Sequence, residues 1–397
     1  MIRRLPHFLW FAVLMTLAAI GVAKGWRGKC IDFEVYARAV QRFWRGLELY
    51  RAVDGKMQFK YPPPAAWLLS PWALGEANLG AAAWNFSSMV GFAWVAHAVT
   101  TRAQFGLDGV NAHLRSWLPI VATAALGEAF FLELRLGQVD LAILVLLTGA
   151  MLAVEARATV AAGLASALAI LLKPPAVLFL LYALVRRRDR VVAATLLWIL
   201  ALALPVVAVY GWSGSLDLVL SWRERLTEST LPWARGANSQ GLTTLIVLVL
   251  SSAPAPSAGV LAASGLIAMA AVAAVLVLAR LQPGHLFAAV CLGAALVSPL
   301  AWRANFVLAW PALVLVLGTT KSERFRVIGW AIAGALVTIS VIANEQVTGA
   351  QVATAVLDYG RPYAWCYLVL LGLLVWCGRQ APPRDAATAE SPLSASQ

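Results

Sequence analysis

The sequence predicts an all-α polytopic membrane protein, and three observations support this fold class. Hydrophobic residues make up 61% of the 397 residues, whereas charged residues make up only 13%. The mean hydropathy of +0.77 is far above that of ordinary globular domains. Apolar segments also recur along the chain with short connections, so we predict one transmembrane domain over residues 1–378 rather than two or three soluble domains.

The net charge of +12 does not indicate a nucleic-acid partner, because the basic residues stand at the ends of apolar segments. The four cysteines show no metal-binding or disulfide spacing. We therefore expect membrane lipids as partners, with no required cofactor and no divalent metal. The sequence defines no oligomeric state.

Positive charges beside apolar segments predict the orientation of the chain. Arg3 and Arg4 precede the first predicted span, 5–23, and indicate a cytoplasmic N-terminus. The arginine-rich run 186–190 predicts another cytoplasmic connection, and residues 379–397 read as a disordered cytoplasmic tail rich in Pro, Ala and Ser. Both termini are then cytoplasmic, with about twelve spans across the plasma (inner) membrane.

Three polar connections share the extracytoplasmic face in this topology: 25–64, 212–240 and 298–305, and a fourth outer loop spans 344–361. The first is the longest and carries a dense set of cations and aromatic rings. Residues 160–185 form either one kinked span or two half-helices, because Pro174 and Pro175 interrupt them.

Asp32 follows the first span and is the leading candidate for catalysis. A carboxylate there can act as general base, taking a proton from a sugar hydroxyl as the hydroxyl attacks an activated donor. The alternative is that Asp32 caps a helix beginning at Phe33. Glu34 is a second candidate base, or a solvated side chain.

Cations and tyrosines in the same connection suit a departing phosphate, whose charge needs fixed donors. The candidates are Tyr36, Arg38, Lys60 and Tyr61. Contact with lipid headgroups and an aromatic belt is the alternative for most of them.

Ionisable residues inside apolar segments indicate function or pairing. Lys173 is one, with snorkelling as its alternative. Four further polar residues share this hypothesis, with pairing to Arg135 as the alternative: Glu128, Glu133, Gln138 and Asp140. Polar groups at the outer ends of later spans are also candidates, although each suits an ordinary loop: Asn238, Gln240, Arg303 and Asn305.

Several motifs occur in a recognisable order. They are D-F-x-V-Y at 32–36, G-x-x-L-Y at 46–50, F-x-Y-P-P at 59–63, G-Q at 137–138, L-K-P at 172–174, N-S-Q at 238–240, and S-P-x-x-W at 298–302. The chain thereby resembles glycosyltransferase family 87, the membrane mannosyltransferases of the GT-C superfamily.

This resemblance implies inverting transfer of a hexose, mannose in most members, from a polyprenyl-phosphate donor to a lipid-linked or glycan acceptor on the extracytoplasmic face. It implies Asp32 as the catalytic carboxylate. Tyr36 and Tyr61 would then shape the sugar site, and Lys60, with Arg38, would stabilise the lipid phosphate.

The sequence departs from the family pattern after S-P-x-x-W, where a histidine pair is usual. Here Arg303 is followed by Ala304 and Asn305. Arg303 can replace the pair as a permanently charged donor. Two alternatives to a transferase stay open: a transporter or flippase of a lipid-linked sugar, and a non-catalytic relative that binds lipid phosphates.

Overall fold

The structure, a computed structural model, describes residues 5–379. It is 81% helical, and the described residues contain no β-strand, so the predicted all-α class is confirmed. The tail predicted to be disordered lies, apart from Arg379, outside the described residues, as do Arg3 and Arg4.

Ten helices form the first half of the chain. They are α1 (Leu5–Trp26), α2 (Ile31–Trp44), α3 (Pro63–Leu68), α4 (Ser70–Ala73), α5 (Ala77–Thr101), α6 (Ala112–Ala125), α7 (Gly127–Leu136), α8 (Asp140–Glu155), α9 (Thr159–Leu172) and α10 (Leu178–Val185).

Nine helices complete the described part. They are α11 (Asp189–Thr230), α12 (Leu242–Leu250), α13 (Ala258–Leu278), α14 (Pro283–Val297), α15 (Trp310–Leu317), α16 (Glu323–Ile342), α17 (Glu345–Thr348), α18 (Ala350–Gly360) and α19 (Pro362–Gly378).

Four helices, α1, α11, α13 and α16, are long and apolar enough to cross a membrane. Two bent pairs raise the number to six if each pair is one span: α6 with α7, bent by 62°, and α18 with α19, bent by 43°. The chain is therefore an all-α membrane protein, but the predicted count of about twelve spans is not confirmed. Other apolar segments form helices shorter than a bilayer requires, α9 and α14 among them.

The segment 160–185 is broken rather than merely kinked. Helix α9 ends at Leu172, Lys173 is extended, and a 3₁₀ turn over Pro174–Val177 leads into α10. The paired prolines explain the break, because each lacks an amide hydrogen and disfavours helix in the residue before it.

The polar connection 212–240 is largely helical. Helix α11 continues to Thr230 after an abrupt change of direction at Gly211, whose φ of 69° and ψ of 177° are non-helical. The second part of α11 packs on the region near α2, where the Trp222 indole donates a hydrogen bond to the carbonyl of Lys60 at 2.9 Å.

Helices α1, α5 and α7 meet around the buried side chain of Asn85. Its Nδ2 donates to the carbonyls of Gly21 and Leu134, each at 2.9 Å. Gly25 lets α5 approach closely, since a Cβ there would lie 2.4 Å from the amide nitrogen of Ala82. This packing fixes the end of α1, and hence the start of α2.

Candidate active site

Asp32 lies in the first turn of α2, and its side chain contacts a residue from a distant part of the chain, at the end of α7. Helix α2 begins at Ile31 with Cys30 at its N-cap, and no side-chain capping bond is present. The alternative that Asp32 caps a helix beginning at Phe33 is therefore wrong. Its carboxylate instead accepts a hydrogen bond from Nε2 of Gln138, which follows α7.

Gly137 brings Gln138 to Asp32. It ends α7 in the left-handed conformation, with φ of 74°, which glycine adopts without steric penalty. A Cβ at this position would lie 3.0 Å from the Cβ of Phe33 and 3.2 Å from that of Cys30. The G-Q motif therefore provides both the turn and the close approach of α2.

Hydrogen bonds among three tyrosines connect α2 and the chain that follows it to the Y-P-P segment at 61–63. The hydroxyl groups of Tyr36 and Tyr61 lie 2.8 Å apart, and the hydroxyl of Tyr50 donates to the carbonyl of Tyr61 at 2.7 Å. Burial raises the pKa of Tyr36 and Tyr61 well above the usual value of 10, so both stay neutral. These contacts hold Lys60, next to Tyr61, beside Asp32.

Two lysines provide the positive charge at this site. Lys173 pairs with Asp140, with its Nζ 2.7 and 2.8 Å from the two carboxylate oxygens. The ammonium group of Lys60 makes none of the ion pairs or hydrogen bonds found within residues 5–379. Lys60 is thus the cation that can neutralise a further negative group.

Burial raises the pKa of Asp32 to about 6, and Asp140 adds to the increase. Lys60, Lys173 and the hydrogen bond from Gln138 act in the opposite direction and lower it. Burial also lowers the pKa of Lys60, against the effect of Asp32. At neutral pH Asp32 is ionised, with a pKa near the range that suits a general base.

A second polar cluster forms around Glu128, just after the bend between α6 and α7. Glu128 accepts hydrogen bonds from the Arg303 guanidinium and the Tyr363 hydroxyl, and Arg303 also donates to Oδ1 of Asn238 at 3.0 Å. No hydrogen bond or ion pair within the described residues joins this cluster directly to Asp32. The fold thus places Arg303 and Asn238, both candidates for donor binding, in direct contact.

Arg38 and Glu34 lie on a different face of α2 from Asp32. Together with Ala37 and Gln41 they follow helical spacing and line an open cavity of about 400 Å³. Each helical residue rotates the side-chain direction by about 100°, which carries both positions away from the Asp32 face. The structure therefore does not bring Arg38 to Asp32, and the predicted role of Arg38 at the lipid phosphate stays a prediction.

Two of the remaining predicted residues make structural contacts. Both amide hydrogens of Gln240 are engaged, by the carbonyls of Ala237 and Leu357. Asn305 donates to the carbonyl of Leu300 at 3.1 Å. Their predicted role in donor binding stays a prediction.

The alternative in which the intramembrane acids pair with Arg135 is wrong. Arg135 makes none of the ion pairs within residues 5–379, whereas Asp140 pairs with Lys173 and Glu128 with Arg303. Glu133 instead accepts a hydrogen bond from the amide of Leu141 at 2.9 Å. The two ion pairs join residues 33 and 175 positions apart, so charge spacing along the chain does not indicate them.

Tyr363 is a further site residue that the sequence analysis missed. It lies in the last apolar helix, where a tyrosine gives no sign of its contact with Glu128, 235 positions away. Among the described residues, no three His, Cys, Asp or Glu side chains are grouped so as to hold a metal ion.

The fold and this buried carboxylate–lysine site define a membrane-embedded protein with a polar centre suited to acid–base and phosphate chemistry. A model of glycosyltransferase family 87 matches residues 59–302, which is more than half of the chain. The chain belongs to that family, and is accordingly a membrane glycosyltransferase. No functionally curated protein matches the sequence.

Proposed function

We propose that the protein transfers a hexose, mannose in the first instance, from a polyprenyl-phosphate donor to a lipid-linked or glycan acceptor, with inversion at the anomeric carbon. The observation that carries this proposal is the pairing of an ionisable base with a free cation. Asp32 has a pKa raised to about 6, and Lys60 beside it is engaged by no carboxylate at ion-pairing distance within residues 5–379.

The reaction assigns these two groups opposite tasks. The acceptor hydroxyl oxygen forms a bond to the anomeric carbon while Asp32 takes the hydroxyl proton. The bond between that carbon and the phosphate oxygen breaks, and the lipid phosphate leaves with the bonding electrons. Lys60 stabilises the charge that develops on the phosphate, where a fixed cation in a half-buried site acts most strongly.

The remaining groups position these two. Gln138 orients the Asp32 carboxylate, and the Tyr36–Tyr61 pair forms the wall on which the sugar rests. Lys173 is already neutralised by Asp140, so we assign it to orientation and to the pKa of Asp32. Arg303 is likewise paired with Glu128, and its contact with the donor phosphate is a secondary part of the proposal.

The position of the site supports an extracytoplasmic reaction. Helix α2 follows α1, and α1 is a candidate span. A membrane-embedded donor reaches a juxtamembrane site from the bilayer itself. The site would then lie at the outer face of the plasma membrane with both termini in the cytoplasm.

Purified protein in lipid nanodiscs, given polyprenyl-phosphate [¹⁴C]mannose and a panel of glycolipid acceptors, tests this proposal. Asp32→Asn should lower transfer by at least about 10³-fold while leaving donor binding within about twofold. Glu34→Gln is the matched control, because Glu34 is on the same helix but exposed on another face, and it should retain wild-type transfer.

Two outcomes would count against the proposal. Transfer that survives Asp32→Asn but disappears in Glu34→Gln would move the base to Glu34. Donor binding without transfer by the wild type, across all acceptors and with glucose and galactose donors as well, would instead favour a non-catalytic lipid-phosphate-binding protein.

A further inference from the structure

Four arginines converge at the ends of helices remote from Asp32. A cavity of about 290 Å³ is lined by the connection between α8 and α9 and by the one between α10 and α11. Its charged lining residues are Arg157, Arg187, Arg188, Asp189 and Arg190. Four guanidinium groups therefore face one carboxylate.

This cavity and the candidate active site lie at opposite ends of the same helices. Helix α8 begins at Asp140 in the candidate site and runs about 23 Å to Glu155, two residues before Arg157. Helix α11 begins at Asp189 and rises about 32 Å to Tyr210, whose hydroxyl donates to the carbonyl of Leu47, after α2. That length matches the roughly 30 Å hydrocarbon core of a bilayer.

The arginines of this cavity are uncompensated, in contrast to their neighbour Arg186. Arg186 forms a two-pronged ion pair with Glu155, with both N–O distances 2.9 Å. Arg157, Arg187, Arg188 and Arg190 make none of the salt bridges found within the described chain. Their guanidinium groups are available to bind an anion in the bidentate manner that suits phosphate.

Backbone donors add to this charge. Helices α9 and α11 both start at the cavity, and neither has a side-chain hydrogen bond at its N-cap. The amides of Thr159 and Val191 donate to the carbonyls of Arg157 and Arg188. The other first-turn amides make none of the described hydrogen bonds and lie at the positive end of each helix dipole, those of Val160, Ala161, Asp189 and Arg190. The hydroxyl of Thr159, at the first position of α9, makes none of the described hydrogen bonds and also lines the cavity.

Apolar surface borders the cavity. Val160 is 65% exposed and Leu184 49% exposed, each within a few positions of a lining arginine. Helix α11, a candidate span, starts at the cavity itself. A ligand that combines a phosphate group with acyl chains can satisfy both features, with its headgroup among the arginines and its chains along the exposed apolar residues.

We propose that this cavity, which we call the arginine cavity, binds the phosphate of an anionic phospholipid headgroup on the membrane face opposite the candidate active site. The ligand chemistry is a phosphate monoester or diester recognised by guanidinium groups and helix-start amides. This inference is independent of the proposed transferase reaction, because none of the lining residues belongs to that site.

Native mass spectrometry of the full chain in detergent, titrated with dioleoyl phosphatidic acid, tests the site. The test variant is Arg157→Gln/Arg188→Gln. The matched control is Arg102→Gln/Arg280→Gln, which removes two exposed charges at the same end of the molecule. Neither arginine forms a salt bridge within residues 5–379. Arg102 follows α5, and Arg280 precedes α14 close to it, since Gly284 packs on Gln104 and Phe105.

We expect the test variant to bind the lipid at least about tenfold more weakly and the control to stay within about twofold of wild type. Equal weakening in both variants would reduce the effect to diffuse surface charge and overturn the proposal. If the double variant fails to fold, Arg157→Gln compared with Arg280→Gln serves the same purpose, because both residues are exposed and lie outside helices.

A competition experiment distinguishes a phospholipid from a soluble phosphate compound as the ligand of the arginine cavity. sn-Glycerol 3-phosphate carries the same headgroup without acyl chains, and it should not displace phosphatidic acid at about a hundredfold excess. Displacement at concentrations comparable to the lipid would identify a site for a soluble phosphate and overturn the lipid assignment.

Discussion

Lys173 and Asp140 form a buried ion pair in which the ammonium nitrogen lies 2.7 and 2.8 Å from the two carboxylate oxygens. Asp140 is fully buried at the start of α8, and Lys173 occupies the break between α9 and α10. The pair therefore joins two helix termini at the base of the candidate active site. It also influences that site directly, because Lys173 lowers the pKa of Asp32 and Asp140 raises it.

Removing one member of this pair should destabilise the protein strongly. Lys173→Met leaves an uncompensated buried carboxylate, which we expect to lower the free energy of unfolding by about 3–5 kcal/mol. Thermal unfolding in detergent measures the effect. The double variant Asp140→Leu/Lys173→Met removes both charges and should regain most of the loss, whereas additive losses would show that the pair is not coupled.

Adding a methyl group at Gly137 should lower transfer activity more than adding one at another glycine with the same backbone conformation. Gly137→Ala combines a positive φ with a Cβ 3.0 Å from that of Phe33, so the two must separate by a few tenths of an ångström. We expect this shift to disturb the hydrogen bond from Gln138 to Asp32. We expect transfer to fall by about tenfold or more. The control is Gly106→Ala, which has a similar φ of 69° but meets only the flexible end of Gln282 at 3.4 Å. The left-handed conformation costs both variants about 1–2 kcal/mol, but only the first should lose activity in the fraction that stays folded.

The all-α membrane fold and the site's first motif could be predicted from sequence because their signals are local. Hydropathy marks the apolar segments, and a helix beginning within two residues of Asp32 follows from the polar stretch after the first span. Glycine before Gln138 and proline after Lys173 likewise mark the two breaks that supply site residues. Each of these signals depends only on neighbouring positions.

The partners in the site could not be predicted, because they depend on which helix termini meet in space. Glu128 pairs with Arg303 across 175 positions and Asp140 with Lys173 across 33, whereas Arg135, nearest in sequence, pairs with neither. Helical rotation places Arg38 on a different face of α2 from Asp32, which its charge alone does not indicate; its predicted role at the donor phosphate stays a prediction. The predicted count of about twelve spans is not confirmed for a related reason, because several apolar segments form helices too short to cross a bilayer alone.

The transfer rate should decline on the acidic side as Asp32 takes up a proton. A general base with a pKa of about 6 is protonated below that pH, so the rate should fall about tenfold for each pH unit further down. Gln138→Leu removes a hydrogen bond that lowers this pKa, and should therefore move the acidic limb to higher pH. Gln41→Leu, on the exposed face of α2, should leave the limb unchanged; a shift in both variants would contradict the assignment.

The alkaline limb of the same profile should report Lys60. Burial lowers its pKa below the usual 10.5, so the ammonium charge is lost earlier as pH rises than for an exposed lysine. Lys60→Arg should move this limb upward, since a guanidinium stays charged. Lys60→Gln should lower transfer by about 10²-fold or more at pH values below the limb, where the wild-type lysine is charged. Lys29→Gln, an exposed lysine before α2, is the control, and a comparable loss there would exclude a special role for Lys60.

Neutralising Asp32 and neutralising Asp54 should change the free energy of unfolding in opposite directions. Folding raises the pKa of Asp32, so its contribution to stability is fully present below the unfolded pKa and is lost as pH rises through about 6. Folding lowers the pKa of Asp54, through its ion pair with Arg42 at 2.5 Å, so this contribution is present above the unfolded pKa and disappears at acidic pH. At about pH 8, Asp32→Asn should therefore raise stability by about 1–2 kcal/mol, whereas Asp54→Asn should lower it. Thermal unfolding at about pH 8 and pH 4 measures both changes in stability, and the two changes should be smaller at the lower pH.

The result for Asp32→Asn at about pH 8 decides what the buried carboxylate is for. A destabilised variant would show that the carboxylate is held for structure. A stabilised but inactive variant would show that its burial serves the reaction at the expense of the stability of the fold.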